Sequence, residues 1–158
     1  PKKYFRMFPG NEGRLMGAYF VTCTGCEKDE NGNVTVVHCT YDPETKGGSS
    51  ADGRKVKGTI HWVAAKTAVK AECRLYENIV DEEKGKLNED GTLNLNPNSL
   101  TVLSECYVEP ELGKAQAYDS YQFMRNGYFC ADCKDSRPDH LVFNRIVSLK
   151  SSFKLKKD

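Results

Sequence analysis

The chain has 158 residues, of which 39% are hydrophobic and 28% are charged, and its formal net charge is +1. This length allows one ordinary domain or two very small ones, and the composition is typical of a globular protein. Because no apolar stretch is long enough to span a bilayer and none has the form of a signal-peptide core, we expect no membrane partner. The chain opens without a methionine, so we expect it to be a piece of a longer protein.

Positive charge is concentrated at the two ends of the chain. Residues 1–20 carry a net charge of +3 and residues 145–158 a net charge of +4, so the centre is acidic, with a net charge of −6. If the two ends meet in space, they form one positive face suited to a polyanion. The alternative is a pair of solvated tails.

Strand patterns dominate the first half of the chain. The run "LMGAYFVTCTG" (residues 15–25) is rich in aromatic and β-branched residues, "DENGN" (29–33) is a turn, and "VTVVHCTY" (34–41) is a second strand. Together they predict a β-hairpin. The stretch "DPETKGGSSADG" (42–53) has the composition of a linker or of a long surface loop. After it, "KVKGTIHWVA" (55–64) alternates as a strand does.

The second half continues the pattern, and only "AAKTAVKAE" (64–72) could hold a helical turn. The remaining predicted strands are short and are separated by turn residues; they fall at 71–80, 91–96, 100–109, 117–124, 127–132 and 140–153. Many short strands with regular turns predict an all-β fold, either a barrel or a sandwich of mixed antiparallel strands.

Seven cysteines are many for this length, and an odd number fits poorly with a closed disulfide framework. We therefore expect a reducing compartment and mostly free thiols. Two C-x-x-C pairs, Cys23 with Cys26 and Cys130 with Cys133, raise the possibility of zinc, with His140 near the second pair.

The first pair fits a metal site poorly. Cys23 and Cys26 lie in one predicted strand, where residues i and i+3 point to opposite faces. A bulge at Gly25 could bring them to the same side. The alternative is that these cysteines act as small apolar residues of a β core.

No motif in the sequence indicates catalysis. His38 adjoins Cys39, but neighbours on a strand face apart, and no third group orients the histidine. The glycine-rich stretch lacks the spacing of a phosphate-binding loop. We expect no catalytic residue in this chain.

Several residue types favour an RNA surface. Arginine and glutamine can form paired hydrogen bonds with base edges, and aromatic rings can stack on unpaired bases. Such residues are Tyr4, Phe5, Arg6, Arg14, Gln122, Arg125, Tyr128 and Phe129.

Seven segments occur in an order that resembles one family. They are "YFRMFPGNEGRL", "KGTIHWV", "RLYENI", "LNPNSL", "VEPEL", "YQFMRNGYFCADCKDS" and "VFNRIVSLKSSF", and they cover nearly the whole chain. In this order they resemble the C-terminal region of bacterial-type glutaminyl-tRNA synthetases. Eukaryotic and archaeal glutamyl-tRNA synthetases share the same region and are the nearest alternative.

The resemblance implies two small β-barrels, of the type also seen in ribosomal protein L25, that bind the anticodon stem-loop of tRNA. It places one barrel at 1–25 plus 108–158 and the other at 26–107, with the first lacking its N-terminal strands and at least one base-contacting arginine. Glutamine attachment, with ATP and magnesium, belongs to an upstream catalytic domain absent from this chain. The family is cytoplasmic, and we expect a monomer.

The resemblance also implies site residues, position by position. Arg6 in "YFR" and Arg14 in "EGRL" match family arginines that contact anticodon bases, and Gln122 and Arg125 in "YQFMR" match the glutamine and arginine that read them. Met16 stands where the family often has a basic residue, which removes one contact. Two further hypotheses are a zinc-stapled β module and a barrel that only docks on other synthetase domains.

Overall fold

The computed structural model describes residues 6–81 and 84–149. Nine β-strands account for most of the regular structure, and the prediction of an all-β fold is confirmed. The strands are β1 (Glu12–Leu15), β2 (Phe20–Lys28), β3 (Val34–Asp42), β4 (Thr59–Ile60), β5 (Val69–Tyr76), β6 (Leu100–Val108), β7 (Ser120–Phe123), β8 (Gly127–Ala131) and β9 (Leu141–Ser148). Within the described ranges, no helix is both long and apolar enough to cross a membrane.

Two short 3-10 helices, Pro43–Thr45 and Pro110–Lys114, were not expected from the sequence. Each begins at a proline, whose fixed φ suits the first position of a helix. The helical turn expected in 64–72 is present, since the Ala68 N–H donates to the Ala64 carbonyl at 2.8 Å. The basic residues Lys2 and Lys3, the aromatic pair Tyr4 and Phe5, and the C-terminal residues from 150 onward lie outside the described residues.

The chain divides into two compact units, residues 1–62 and residues 63–158. The first contains a four-stranded sheet in the order β3-β2-β1-β4. The predicted hairpin is confirmed as the antiparallel pair β2–β3. Its turn is held by Asp29, whose carboxylate accepts the backbone N–H groups of Asn31 and Asn33 at 2.9 and 2.8 Å. A short polar side chain that bonds its own following backbone is the usual way to fix such a turn.

Two predicted strands of this unit differ from the structure. The run 15–25 is not one strand, because the chain turns after Leu15 and β2 begins at Phe20. Gly17 takes a φ of 68° in that turn, and the Leu15 N–H closes it on the Tyr19 carbonyl at 2.9 Å. The stretch 55–64 contributes only the two residues of β4, which pairs parallel with β1.

The second unit contains a five-stranded sheet in the order β6-β5-β9-β8-β7. Strands β5 and β9 run parallel, and the other neighbours are antiparallel. The predicted strand at 91–96 is replaced by isolated bridges, Leu87 with Leu93 and Val80 with Leu95. The core of the unit is a cluster of buried side chains: Ala71, Cys73, Val108, Phe129, Ala131, Leu141 and Phe143.

Aromatic packing orients the β7–β8 hairpin. Phe123 of β7 stacks on Phe129 of β8 at 4.4 Å between ring centroids, and its edge meets Phe143 of β9 at 5.4 Å. Tyr121 also contacts Phe143, at 6.0 Å. Because side chains alternate along a strand, Gln122 lies on the opposite, outer face of β7. Closure of either sheet into a barrel, and the barrel boundaries given above, stay predictions.

Gly127 begins β8 in a conformation that only glycine adopts easily. Its φ is 145°, and a Cβ built there would lie 2.7 Å from the Val147 carbonyl oxygen. We predict that Gly127→Ala lowers the free energy of unfolding by about 2 kcal/mol or more, since both backbone strain and a steric clash oppose it. Urea denaturation would measure the change.

Gly113→Ala is the matched control in the same unit. A Cβ at Gly113 meets only Val69 Cγ2 at an ordinary 3.7 Å. This variant should stay within about 0.5 kcal/mol of the parent chain. Equal stability of the two variants would contradict the explanation for Gly127.

Candidate nucleic-acid interface

Arg14 lies in the middle of the first sheet, on β1 between Phe20 of β2 and Thr59 of β4. Its guanidinium carbon is 5.2 Å from the centroid of the Phe20 ring, a cation–π contact. Gly48 leaves room for its stem, because a Cβ there would come within 3.3 Å of Arg14 Cδ. Arg14 Nε is buried and has no hydrogen-bond partner in the described part of the chain.

Arg54 is a second arginine at the same ring, and sequence reasoning missed it. Its guanidinium carbon also lies 5.2 Å from the Phe20 centroid. It bonds Glu12 on β1 at 3.0 and 3.2 Å, Asp42 at the end of β3 at 2.6 Å and Asp52 at 2.8 Å. Since Arg54 and Glu12 are 42 positions apart, no local pattern could reveal this contact.

These ion pairs fold residues 42–54 onto the sheet, so this stretch is a surface loop within the first unit. Thr45 adds a buried contact, accepting the Phe20 N–H at 2.8 Å and donating to the Asp42 carbonyl at 2.6 Å. The hydrogen bond from Arg54 lowers the pKa of Asp42. The Arg54 backbone N–H, with the Ser50 and Arg54 side chains, lowers the pKa of Asp52 to about 2.

We predict that Arg54→Met destabilises the first unit in a pH-dependent way. A carboxylate whose pKa is lowered by folding adds stability above its unfolded pKa of about 4, and that contribution is lost as the pH falls toward the folded value. The difference in thermal midpoint between parent and variant should therefore be greatest at neutral pH and shrink between about pH 4 and pH 2. A difference that is constant across this range would contradict the role given to the carboxylates.

Arg6 precedes the first sheet and is exposed. The segment after it packs along β1 and β2: a Cβ at Gly13 would meet Met7 Sδ at 2.8 Å, and the Gly10 N–H donates to the Cys23 carbonyl at 2.8 Å. The structure thus brings the Arg6 segment alongside the strand that carries Arg14. Met16 follows this strand, and its carbonyl accepts the Trp62 indole N–H at 3.0 Å.

Gln122 and Arg125 share the β7–β8 hairpin of the second unit. Gln122 is exposed on β7, directly opposite Tyr128 of β8. Arg125 is also exposed and lies in the three-residue turn, where its φ of 67° is left-handed. The turn is closed by a hydrogen bond of 2.8 Å from the Asn126 N–H to the Phe123 carbonyl.

Phe129, which was expected at an RNA surface, is buried in the core, whereas Tyr128, which was expected there too, is exposed. Tyr128 is 46% exposed, and its other cross-strand partner is the exposed Val147 of β9. Gln122, Tyr128 and Val147 therefore form one row across the outer face of three strands. Neighbours on a strand face apart, and the sequence does not say which of Tyr128 and Phe129 faces solvent.

The turn that contains the second C-x-x-C pair, Cys130 and Cys133, is held by a carboxylate. Asp132 accepts the backbone N–H groups of Lys134 and Asp135 at 2.8 and 2.7 Å and the Asn144 amide at 2.6 Å. These bonds, led by that from Asp135, lower the pKa of Asp132. Cys130 is half-buried on β8 and Cys133 is exposed in the turn.

The first pair lies across a β-bulge between Cys23 and Gly25, as the zinc hypothesis required. However, Cys23 is buried and Cys26 is exposed, so they do not converge. Within residues 6–81 and 84–149, no three or more His, Cys, Asp or Glu side chains are grouped as metal ligands.

We predict that Asp132→Ala lowers the free energy of unfolding by roughly 1–3 kcal/mol, because three hydrogen bonds to a charged acceptor are lost. Cys133→Ser, one residue away in an exposed position, should stay within about 0.5 kcal/mol of the parent. Chemical denaturation of both variants, with and without a zinc chelator, would measure this. A larger loss of stability for the Cys133 variant than for the Asp132 variant, or a loss of stability when zinc is chelated, would favour metal binding instead.

The first sheet carries the half-buried Arg14, and the β7–β8 hairpin of the second exposes Gln122, Arg125 and Tyr128. Arginine, glutamine and tyrosine are residue types with which β-sheet domains bind unpaired bases. Two family models with the same description, the anticodon-binding domain of class I tRNA synthetases (E and Q), match residues 2–42 and 59–132. The chain belongs to this family of anticodon-binding domains.

Curated relatives cover nearly the whole chain. It is 57% identical to a glutamine–tRNA ligase of Clostridium perfringens over 99% of its length, 53% identical to one of Clostridium kluyveri over 98%, and 55% identical to one of Clostridioides difficile over 97%. In each case the chain spans 28% of the length of the relative.

Proposed function

We propose that this chain is the anticodon-recognition part of a glutamine–tRNA ligase. The observation that carries the proposal is the β7–β8 hairpin, which presents Gln122, Arg125 and Tyr128 on one exposed edge of a packed sheet. The names of the relatives favour glutamine over the glutamate enzyme that shares the family. The zinc-stapled module is the weaker alternative, since no three His, Cys, Asp or Glu side chains are grouped as metal ligands among the described residues.

The hairpin suits the reading of unpaired bases. A glutamine amide offers both a donor and an acceptor, and a guanidinium offers a planar fork of donors, so both can bond a base edge in a fixed direction. The exposed ring of Tyr128, next to Gln122, supplies a surface on which a splayed base can stack. Packing of Phe123 on Phe129 and Phe143 beneath these residues holds them in place before RNA binds.

Arg6 and Arg14 serve the same task from the first unit. Contact with the buried Phe20 ring fixes the guanidinium of Arg14, so less side-chain entropy is lost when it meets a base or phosphate. Arg54 acts as a positioning residue, because it holds the loop that includes Gly48 against the stem of Arg14.

In this proposal the catalytic step belongs to a part of the enzyme outside this chain. An upstream domain would join glutamine to its tRNA with ATP and magnesium, and the present residues would contribute binding energy and choice of tRNA. We further propose that the enzyme is cytoplasmic and monomeric.

Replacing Arg125 tests the assignment most directly. In the full-length enzyme, Arg125→Ala should lower kcat/KM for tRNA(Gln) roughly 5- to 150-fold, taking the value of a good bidentate base contact as a guide, with little change for ATP or glutamine. Arg125→Lys keeps the charge but loses the fork, so it should restore little of the loss. Steady-state aminoacylation would measure all three parameters.

Arg137→Ala is the matched control. Arg137 is also exposed, but it lies beyond the opposite end of β8 from the Arg125 turn. It should leave kcat/KM for tRNA unchanged. An Arg125 variant that behaves like this control would overturn the role of Arg125.

Binding of tRNA to the chain at two salt concentrations would separate base from phosphate contacts. Loss of a phosphate contact reduces the salt slope by about 0.7 for single-stranded RNA, whereas loss of a base contact leaves the slope and depends on the anticodon sequence. A tRNA with three altered anticodon bases keeps its phosphates. We therefore expect it to bind more weakly than tRNA(Gln), with the same salt slope. No binding by the chain at either salt concentration would instead favour a domain that only docks on the rest of the synthetase.

A further inference from the structure

Cys23 and Cys39 face each other directly across the β2–β3 hairpin, as register partners on the two strands. The backbone of Cys23 forms its hydrogen bonds on the side of β2 away from β3. Its N–H donates to the Asn11 carbonyl at 3.0 Å, and its carbonyl accepts the Gly10 N–H at 2.8 Å. In an antiparallel pair both groups of one residue point to the same side. Cys23 and Cys39 therefore form a non-hydrogen-bonded pair.

The geometry of such a pair suits a covalent bond. The Cα atoms of a non-hydrogen-bonded pair lie about 4.5 Å apart, and their side chains leave the sheet on the same face. A disulfide needs Cα atoms about 4.4–6.8 Å apart and Cβ atoms that face each other. No change of strand register is needed to bring the two sulfurs together.

The two thiols differ in their exposure to solvent. Cys23 is 2% exposed and Cys39 is exposed on the edge strand. Partial burial, and then the neighbouring Cys23 thiol, raise the pKa of Cys39. An oxidant in solution therefore reaches Cys39 first.

We propose that Cys23 and Cys39 are a dithiol modification site, which a low-molecular-weight disulfide such as oxidised glutathione converts to a cross-strand disulfide. The Cys39 thiolate attacks the glutathione disulfide, which forms a mixed disulfide and releases one glutathione thiolate. The Cys23 thiolate then attacks Cys39 Sγ and releases the second glutathione. Two electrons pass from the protein to the oxidant, and the two thiol protons end on the two glutathione molecules.

A second pair of thiols also lies close together, since burial and then the neighbouring Cys106 thiol raise the pKa of Cys73. Cys73 and Cys106 lie on neighbouring strands, but a bulge intervenes, so that Cys73 is opposite Leu103 and Cys106 is opposite Ala71. Cys26 is opposite Val37. Cys23 and Cys39 are therefore the cysteines in the described strands that combine direct register with one exposed thiol.

The experiment treats the purified chain, at low concentration and mildly alkaline pH, with oxidised glutathione. Remaining thiols are then blocked with N-ethylmaleimide in denaturant. Mass spectrometry of the parent chain should find five of its seven cysteines blocked and one peptide that joins Cys23 to Cys39. Dithiothreitol should restore all seven reactive thiols.

Two variants test whether the bond joins Cys23 to Cys39 and not to another cysteine. Cys39→Ser, a change at an exposed position, should leave all six remaining thiols open to blocking. Cys26→Ser, on the same strand as Cys23, should still form the bond. The oxidised parent chain, but not oxidised Cys39→Ser, should also unfold several degrees higher, because the bond closes a loop of about 15 residues.

Three outcomes would overturn the proposal. One is seven reactive thiols after oxidation. Another is a linked peptide that joins other cysteines or two chains. The third is glutathione that stays attached to Cys39 without closure of the second bond.

Discussion

The first unit depends on the contact of one buried ring with two guanidinium groups. Phe20 is 1% exposed, and the guanidinium carbons of Arg14 and Arg54 lie at equal distances from its centroid. Two cations at one ring would repel each other in a low-dielectric site unless one were compensated. Three carboxylates compensate Arg54, whereas Arg14 forms no ion pair within the described residues. The site as a whole carries a net charge of −1, and Arg14, on the strand proposed to meet RNA, is its one guanidinium without a carboxylate partner in the described part of the chain.

Strand content and the β2–β3 hairpin could be predicted because they depend on local features: residue type, alternation and a turn rich in asparagine and glycine. The run 15–25 was misjudged because its apolar residues continue through a turn that only the φ of Gly17 reveals. The stretch 55–64 alternates like a strand, yet only Thr59 and Ile60 find a partner. Alternation in the sequence shows which face of a segment is apolar. Whether the segment pairs as a strand depends on the position of a neighbouring strand.

The candidate site also contains residues that the sequence could predict and residues that it could not. Gln122 and Arg125 could be proposed from the sequence because of their residue types and because "YQFMR" resembles a segment of the family. Arg54 was missed, since its partners Glu12 and Asp42 lie 42 and 12 positions away. Phe129 was wrongly expected at the surface, because the sequence does not show that its ring packs on Phe123. The paired cysteines attracted notice as a motif, whereas the neighbouring Asp132 makes the hydrogen bonds that shape the turn.

Gly127 also has a consequence for engineering the hairpin. Because the Val147 carbonyl occupies the space of a side chain at this position, a library that randomises residues 122–128 would lose most of its members to misfolding. Variation limited to the turn residues 124–126 and to the outward positions of Gln122 and Tyr128 would preserve the scaffold. Gly127 therefore has to stay fixed while the positions on either side of it are varied.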